Sequence, residues 1–412
     1  MRKRKPLSTL LPALFLAASL FGQTPVLGEE AAPSPITTNE IPGWPQGPEI
    51  TSAAAVILEE GTGTTLYAKN ADQILFPGST VKVMTCLLAL ENSSLSDQVT
   101  MTATGVSGVT DGGANISAQM DEIFTMEQCL YAIMVASAND VALQVAEHVA
   151  GSVEAFVEMM NARAGELGCT NTVFTNPTGL PDENQHTTAH DMALIMKAAM
   201  DNEDFLPIAQ ANAYTITATN VSGGDRALTS KFTMIDPASD GYYDGCMGGK
   251  EGYTEASGST LVCGAQRNGI RLICVVLKGA SGQTDDEAIT LLDYGFANFT
   301  TAALGEDDFS LISGGEVILP AGIGQDALTV QDSPEGENIL RTYSFGGVPV
   351  GTALLEKPQE QDQTAILEGQ KNMEAAREYS EKHTVVPYIV MGAAAFFLIL
   401  LLFIRMIKLI RS

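Results

Sequence analysis

The sequence predicts an α+β fold in which helices pack against one antiparallel sheet, and three observations support this. β-rich runs stand on both sides of a middle segment, residues 80–200, whose apolar residues recur mostly at helical spacing. Short glycine-containing turns pair these runs into hairpins. The chain has 412 residues, 45% apolar and 17% charged, which is enough to bury a sizeable core. Strands at both ends of a helical middle are therefore expected to meet in one sheet.

The predicted elements follow in order along the chain. A first hairpin joins Ala53–Leu58 to Thr64–Tyr67. Helical periodicity predicts the next elements, at Val81–Leu90, Met126–Val149, Val153–Leu167 and Ala189–Met200. A second hairpin and a closing helix complete the unit, at Thr260–Ala265, Ile270–Leu277 and Asp285–Phe299. Short β-like pieces separated by Gly and Pro then predict a small β domain over residues 305–356.

The first 28 residues are typical of a secretory signal peptide. They have a basic start, an apolar run from Leu7 to Phe21, and small residues near position 28. The alternative is a first membrane helix, which the short run and Pro12 disfavour. Residues 29–48 are rich in Pro, Thr and Glu and predict an exposed linker, so the main domain is expected over residues 49–300.

The C-terminal end is typical of a membrane anchor. Residues 385–404 form a largely apolar run of about 20 residues, and the tail 405–412 carries Arg405, Lys408 and Arg411. This pattern predicts a single-pass protein of the cell membrane, with a charged helical stalk over 357–384 and the main domain outside the cytoplasm. An interfacial amphipathic helix is the alternative, but residues 393–403 show no polar face.

Charge and metal-ligand patterns exclude several function classes. The 22 basic and 49 acidic residues give a net charge of −27, which repels phosphate backbones and makes nucleic acid an unfavourable partner. His186 and His190 lie four residues apart without the acidic ligand pattern of zinc proteases, so no metal or cofactor is expected. Six cysteines without a C-x-x-C pair are compatible both with disulfides and with buried thiols.

The string Ser79-Thr80-Val81-Lys82 opens the first predicted helix. Residues three apart share a helix face, so Lys82 is placed to accept the proton of the Ser79 hydroxyl. A lysine acts as a base when burial or a second cation lowers its pKa. A helix-capping serine beside a solvated lysine is the alternative for this string alone.

Two further strings add to it. Ser137-Ala138-Asn139 presents a hydroxyl and an amide between two helical stretches, where they can relay a proton and hold a substrate amide. Gly248–Thr254 places Lys250 on a strand beside glycines, where a second cation would lower the pKa of Lys82. Taken singly, a turn and a strand edge explain these two strings equally well.

Together, and in this order, the three strings resemble the S-x-x-K, S-x-N and K-T-G set of penicillin-recognising serine enzymes. Further strings resemble the low-molecular-weight D-alanyl-D-alanine carboxypeptidases of peptidase family S11. These strings are Leu66–Asp72, Met84-Thr85, Ala136–Asp140, Asn176–Asp182 and Thr187–Leu194. The resemblance covers residues 45–300 closely and 305–356 loosely, and implies the α+β fold of penicillin-binding transpeptidases and β-lactamases.

The resemblance also implies roles for the site residues. Ser79 would attack the terminal D-Ala-D-Ala bond of a peptidoglycan stem peptide, with Lys82 as base and Ser137 as proton relay. Substrate binding would fall to the remaining residues, Asn139, Lys250, Glu251, Gly252 and Tyr253. The backbone N–H groups of Ser79 and Tyr253 would form an oxyanion hole. β-Lactams would be covalent inhibitors.

Two departures from the family pattern concern the substrate carboxylate. Glu251 stands where the family has a threonine, and residues 279–287 contain Asp285 and Asp286 but no arginine. Like charges ~4 Å apart at an effective dielectric of ~20 repel by about 4 kcal/mol. Glu251 would therefore repel the carboxylate unless it turns away, is protonated or pairs with Lys250. A smaller departure is Thr178, where many relatives have histidine. These features suggest weakened or altered handling of terminal D-Ala.

Three other functions are weighed against the carboxypeptidase. One is a penicillin-binding homologue that binds the cell wall, has the same fold and hydrolyses its substrate only slowly. A β-lactamase is disfavoured because S-D-N and a catalytic E-x-x-L-N string are absent from the sequence. A purely adhesive ectodomain would require an unreactive Ser79 and an exposed Lys82.

Overall fold

The computed structural model describes residues 36–109, 113–304, 310–356 and 363–410. The strands are β1 Ala54–Glu59, β2 Thr65–Lys69, β3 Gln98–Thr100, β4 Ile123–Thr125, β5 Ala213–Ile216, β6 Arg226–Thr229, β7 Cys246–Thr254, β8 Gly258–Arg267, β9 Ile270–Gly279, β10 Phe299–Ala303, β11 Leu311–Gly314, β12 Glu316–Pro320, β13 Thr329–Glu335, β14 Asn338–Phe345 and β15 Val348–Glu356. The α-helices are α1 Lys82–Asn92, α2 Ala103–Gly108, α3 Met126–Val135, α4 Asn139–Ala150, α5 Val153–Glu166, α6 Ala189–Met200, α7 Phe205–Ala209, α8 Thr284–Asn298 and α9 Gln363–Ile410.

The central sheet has five antiparallel strands in the order β2-β1-β9-β8-β7. Strand β1, from the start of the main domain, pairs with β9 from its end, as the sequence predicts. Side chains alternate across β1: Val56 and Leu58 pack with the core that contains α1, α4 and α6, and Ile57 packs with the core that contains α8. Helices therefore cover both faces of the sheet, and the predicted α+β fold is confirmed.

The long helical run predicted over Met126–Val149 is two helices. The helix α3 ends at Val135 and α4 begins at Asn139, with Ser137 between them at a φ of 55°. A residue in this left-handed region cannot continue an α-helix. Apolar spacing does not report such a break, because the helices on both sides share one core.

Residues 36–48 are not the exposed linker that the sequence predicts. Trp44 is 4% exposed, packs against Phe299 and Phe345, and donates its indole N–H to the Leu66 carbonyl at 2.8 Å. Ile36 is also buried. The composition of this segment is polar overall, and its few apolar side chains pin it to the domain. The rest of the predicted linker and the predicted signal peptide lie outside the described residues.

The C-terminal part contains a β10-β12 pair and a four-stranded sheet in the order β11-β15-β14-β13. Helix α9 follows and includes the segment 385–404. Within the described residues, the length and apolar character required to span a bilayer are not found together in any helix. All six cysteines are free thiols, so of the two alternatives left open by the sequence, disulfides and free thiols, the structure has the second.

Candidate active site

The three strings meet at one cleft of about 460 Å³. Ser79 lies on a 3₁₀ turn, Gly78–Val81, that runs directly into α1. The loop between α3 and α4 and the edge strand β7 supply the other sides of the cleft. Its lining includes Ser79, Ser137, Asn139, Glu251, Gly252 and Tyr253.

Lys82 lies beneath the cleft, beside the serine. Its Nζ is 3.3 Å from Ser79 Oγ, because the 3₁₀ turn and the first turn of α1 put residues i and i+3 on one side. The same Nζ donates to Asn139 Oδ1 at 2.7 Å and to the Thr178 carbonyl. Complete burial lowers the pKa of Lys82 well below its ordinary value, and the charge of Lys250 lowers it further. The side chain is thus prepared to act as a neutral base.

One acidic neighbour opposes these effects on Lys82. The Glu251 carboxylate favours the protonated amine and raises its pKa, against burial and Lys250. Burial raises the pKa of the Cys86 thiol to about 12, so Cys86 stays a neutral core residue. Glu251 is therefore the acidic group that limits how far the pKa of Lys82 falls.

Ser137 and Asn139 reach the cleft through the break between α3 and α4. The left-handed backbone of Ser137 places a half-buried serine on the cleft wall. A non-glycine residue in this region is uncommon and occurs preferentially at functional sites. Asn139 is 4% exposed, and its amide oxygen accepts from Lys82, so one of its predicted substrate contacts is made within the protein.

Two glycines allow backbone to approach the nucleophile closely. A Cβ on Gly252 would lie 2.6 Å from Ser79 N, so only glycine lets β7 pass beside the serine. A Cβ on Gly179 would lie 1.9 Å from Gly78 O, and Gly179 has a φ of 80°. The approach of β7 brings the backbone at Gly252 beside Ser79 N. An oxyanion hole made by the N–H groups of Ser79 and Tyr253 would need such an approach.

Lys250 is fully buried and pairs with Glu251. Its Nζ donates to Glu251 Oε1 at 2.8 Å and to the Glu251 carbonyl at 2.9 Å. Among the described residues it makes no hydrogen bond to Ser137, so Ser137 and Lys250 are not joined directly. Pairing with Lys250 is the option that the structure shows for Glu251. The other oxygen, Oε2, is buried and has no hydrogen-bond partner among the described residues.

Sequence reasoning missed Lys231, and it named Asp285 and Thr178 only as departures from the family pattern. Lys231 lines it from the segment before β7, and Asp285 lines it from the first turn of α8 and accepts a hydrogen bond from Thr233 Oγ1. Burial raises the pKa of Asp285, and the charge of Glu251 raises it further. Thr178 acts through its backbone carbonyl, which holds Lys82. The string Asn176–Asp182 was the only signal for this loop.

A serine beside a buried lysine on a helix start, next to an antiparallel sheet that carries a second lysine, defines a serine hydrolase with a penicillin-binding fold. The chain belongs to the D-alanyl-D-alanine carboxypeptidase family, peptidase S11, whose family model matches residues 42–281. The family suspected from the sequence is thereby confirmed.

Individual relatives agree. D-alanyl-D-alanine carboxypeptidase DacF of Bacillus subtilis is 33% identical over 258 residues, 61% of this chain and 64% of the relative. The structure of a variant of the Streptomyces K15 DD-transpeptidase is 28% identical with a TM-score of 0.57, and the match covers 61% of this chain and 99% of that one. Penicillin binding protein 5 from Haemophilus influenzae is 25% identical with a TM-score of 0.62, over 76% and 98%.

Proposed function

We propose that the protein is a serine D,D-carboxypeptidase that removes the terminal D-alanine of peptidoglycan stem pentapeptides through an acyl-enzyme on Ser79. The observation that carries this is the 3.3 Å contact between Ser79 Oγ and the fully buried Lys82 Nζ. Burying a lysine amine costs free energy. A purely adhesive protein has no use for such an amine beside an accessible serine hydroxyl, whereas a serine hydrolase does. Family membership supplies the substrate class.

The proposed reaction proceeds in two steps. Lys82 takes the proton of Ser79 while Oγ attacks the D-Ala carbonyl carbon, and the N–H groups of Ser79 and Tyr253 stabilise the oxyanion. The C–N bond breaks and the leaving D-alanine nitrogen receives the proton, relayed through Ser137. Water then hydrolyses the ester and restores the serine. Each step uses residues that line the cleft or lie directly beneath it.

Recognition of the substrate carboxylate is proposed to be weakened. In the family this carboxylate meets a threonine hydroxyl, next to a lysine, at the position of Glu251. Here Glu251 stands at that position and its carboxylate pairs with Lys250. The same contact favours a second candidate function, a penicillin-binding homologue with little turnover that acts as a wall-binding or regulatory protein. Rates of acylation and of D-alanine release separate the two.

The test compares native chain, Ser79→Ala and Glu251→Thr in two assays, acylation by fluorescent penicillin and D-alanine release from a pentapeptide. We expect penicillin to label native chain and Glu251→Thr but not Ser79→Ala, and D-alanine release to be faster in Glu251→Thr. If the native chain and Glu251→Thr release D-alanine at equal rates, the proposed weakening of carboxylate recognition is wrong. If penicillin does not label the native chain, the proposed carboxypeptidase function is wrong.

We also propose that the protein is anchored in the cell membrane by residues 385–404, with the catalytic domain on the extracytoplasmic side after removal of residues 1–28. The exposed apolar side chains of α9, from Phe396 to Ile404, support this, because no residue that the structure describes covers them. The test is fractionation of cells that express the full chain or a chain ending at residue 384. Release of both forms into the soluble fraction would contradict the anchor.

A further inference from the structure

Part of the cleft wall comes from a loop that none of the three active-site strings contains. We call residues 113–122 the wall loop, and its Gly113 and Ala114 line the cleft. The Ala114 carbonyl accepts the backbone N–H of Asn139 at 2.8 Å. A Cβ on Gly113 would lie 2.6 Å from Asn139 Nδ2, so the loop also lies against the side-chain amide that accepts from Lys82. The position of the wall loop therefore affects the position of Asn139.

The wall loop has a backbone conformation that needs support from outside it. Ser117 has a φ of 56° and Asp121 a φ of 62°, in the left-handed region that residues other than glycine adopt only uncommonly. Such a backbone persists where surrounding contacts impose it. Asp140 supplies the first contacts, because its carboxylate accepts from the backbone N–H groups of Ile116 and Ala118 at 3.2 and 3.1 Å. These bonds hold the first half of the loop.

The β5–β6 hairpin holds the end of the loop through an ion pair. Glu122 is 0% exposed, and Arg226 Nη2, at the start of β6, donates to its two carboxylate oxygens at 3.2 and 3.4 Å. The Arg226 guanidinium also lies over the Phe124 ring, 5.5 Å from its centroid. Thr219 Oγ1, from the turn of the hairpin, donates to Glu122 at 2.8 Å. Loss of Arg226 would leave a buried carboxylate without this ion-pair partner, which is strongly unfavourable.

The turn of the same hairpin makes a second contact with the loop. The side-chain oxygen of Asn220 accepts the backbone N–H of Ile123, and its Nδ2 donates to the Asp121 carbonyl, both at 2.8 Å. None of the described residues that line the cleft belongs to this hairpin, residues 213–229. The hairpin therefore reaches the cleft only through the wall loop.

We propose that Arg226, Glu122 and Asn220 are positioning residues for acyl transfer. They fix the wall loop, and the wall loop fixes Asn139. This inference rests on the proposed function and adds to it residues that do not touch the substrate. Asn139 is the group through which they act, because it accepts from Lys82 and is proposed to hold the substrate amide. A displacement of about 1 Å in such a group can lower a rate roughly 100-fold.

The experiment measures the second-order rate constant of acylation by fluorescent penicillin in the full chain. We expect it to fall ~10-fold in Arg226→Met, a part of the cost of a 1 Å displacement, and by less in Arg226→Lys, which keeps a cation beside Glu122. Asn220→Ala should also lower it, and this variant is expected to fold because Asn220 is exposed. Ser222→Ala is the matched control, since Ser222 Oγ donates to the Gly224 carbonyl within the hairpin, and it should keep the native rate.

A double variant separates positioning from a loss of folded protein. If the hairpin acts through Asn139, then Asn220→Ala should lower the rate little further in a chain that already carries Asn139→Ala. A loss of folded protein would lower the rate by the same factor with and without Asn139, and circular dichroism would detect it. The same factor in both chains, or native rates in both Arg226→Met and Asn220→Ala, overturns the inference.

Labelling of the native chain separates this result from the proposed function. If penicillin labels the native chain, Arg226→Met and Asn220→Ala at one rate, the inference is wrong and the serine mechanism stands. If penicillin does not label the native chain, the serine mechanism is wrong, and the inference is wrong with it.

Discussion

At Ser79 the proposed chemistry depends on a lysine whose amine burial keeps neutral. Lys82 is 0% exposed, and its three acceptors, Ser79 Oγ, Asn139 Oδ1 and the Thr178 carbonyl, fix its amine in place. Sequence spacing predicts the contact with Ser79. It does not predict the other two acceptors, which come from residues 57 and 96 positions away along the chain.

Removing the base should suppress acylation. In Lys82→Gln the side chain keeps polar character but cannot take the proton of Ser79, so we expect penicillin acylation to fall by ~10²–10⁴, the usual contribution of a general base. Stopped-flow labelling measures it, and circular dichroism checks that the variant folds. An acylation rate within threefold of native would exclude Lys82 as the base.

The pH dependence of acylation should report the charge of Glu251. Because the Glu251 carboxylate raises the pKa of Lys82, its replacement in Glu251→Gln should lower that pKa. The neutral, reactive form of Lys82 then persists to lower pH, and the rise of acylation rate with pH moves to lower pH. Asp286→Asn is the control, and a shift to higher pH in Glu251→Gln would refute the assignment.

At the scale of elements, the site depends on how closely β7 approaches the start of α1. Gly252 is the point of contact, and its missing side chain sets the distance between strand and helix. The sequence shows Gly252 only as part of a motif. The separation of α3 from α4 at Ser137 is likewise a tertiary feature, since the apolar pattern runs through it without interruption.

Filling the gap should therefore impair chemistry more than folding. In Gly252→Ala the new Cβ, 2.6 Å from Ser79 N, should push β7 away from the nucleophile. A displacement of about 1 Å costs roughly 100-fold in rate, so acylation by penicillin should fall by about that factor. Gly165→Ala in α5 is the matched control, because its Cβ meets open space. A native rate in Gly252→Ala would show that β7 does not need this approach.

At the scale of the whole molecule, Trp44 joins parts that are distant in sequence. It contacts Phe299 at the start of β10 and Phe345 at the end of β14, with ring centroids 5.2 and 6.3 Å apart, and it bonds to the Leu66 carbonyl in β2. One side chain thus connects the segment before the main domain, the central sheet and the C-terminal strands. The polar composition around it gives no indication of this.

Truncation of this side chain should lower stability without touching the cleft. We expect Trp44→Ala to reduce the free energy of unfolding by about 3–5 kcal/mol, as for other buried aromatic residues, while penicillin acylation of the folded variant stays near native. Urea unfolding followed by circular dichroism measures it, since Trp44 is the only tryptophan. A loss below 1 kcal/mol would mean that the segment is not held by Trp44.

The sequence by itself determined the fold class, the central hairpins, the family and the spacing of Ser79 and Lys82. These follow from short-range periodicity and from motifs, which are local properties of the chain. Only the tertiary structure decided that Glu251 pairs with Lys250, that Lys231 and Asp285 enter the cleft, and that Trp44 is buried. Each of these depends on which distant segments of the chain lie next to each other. Charge pairing and burial are set by distances in space, and the spacing of residues along the chain does not give those distances.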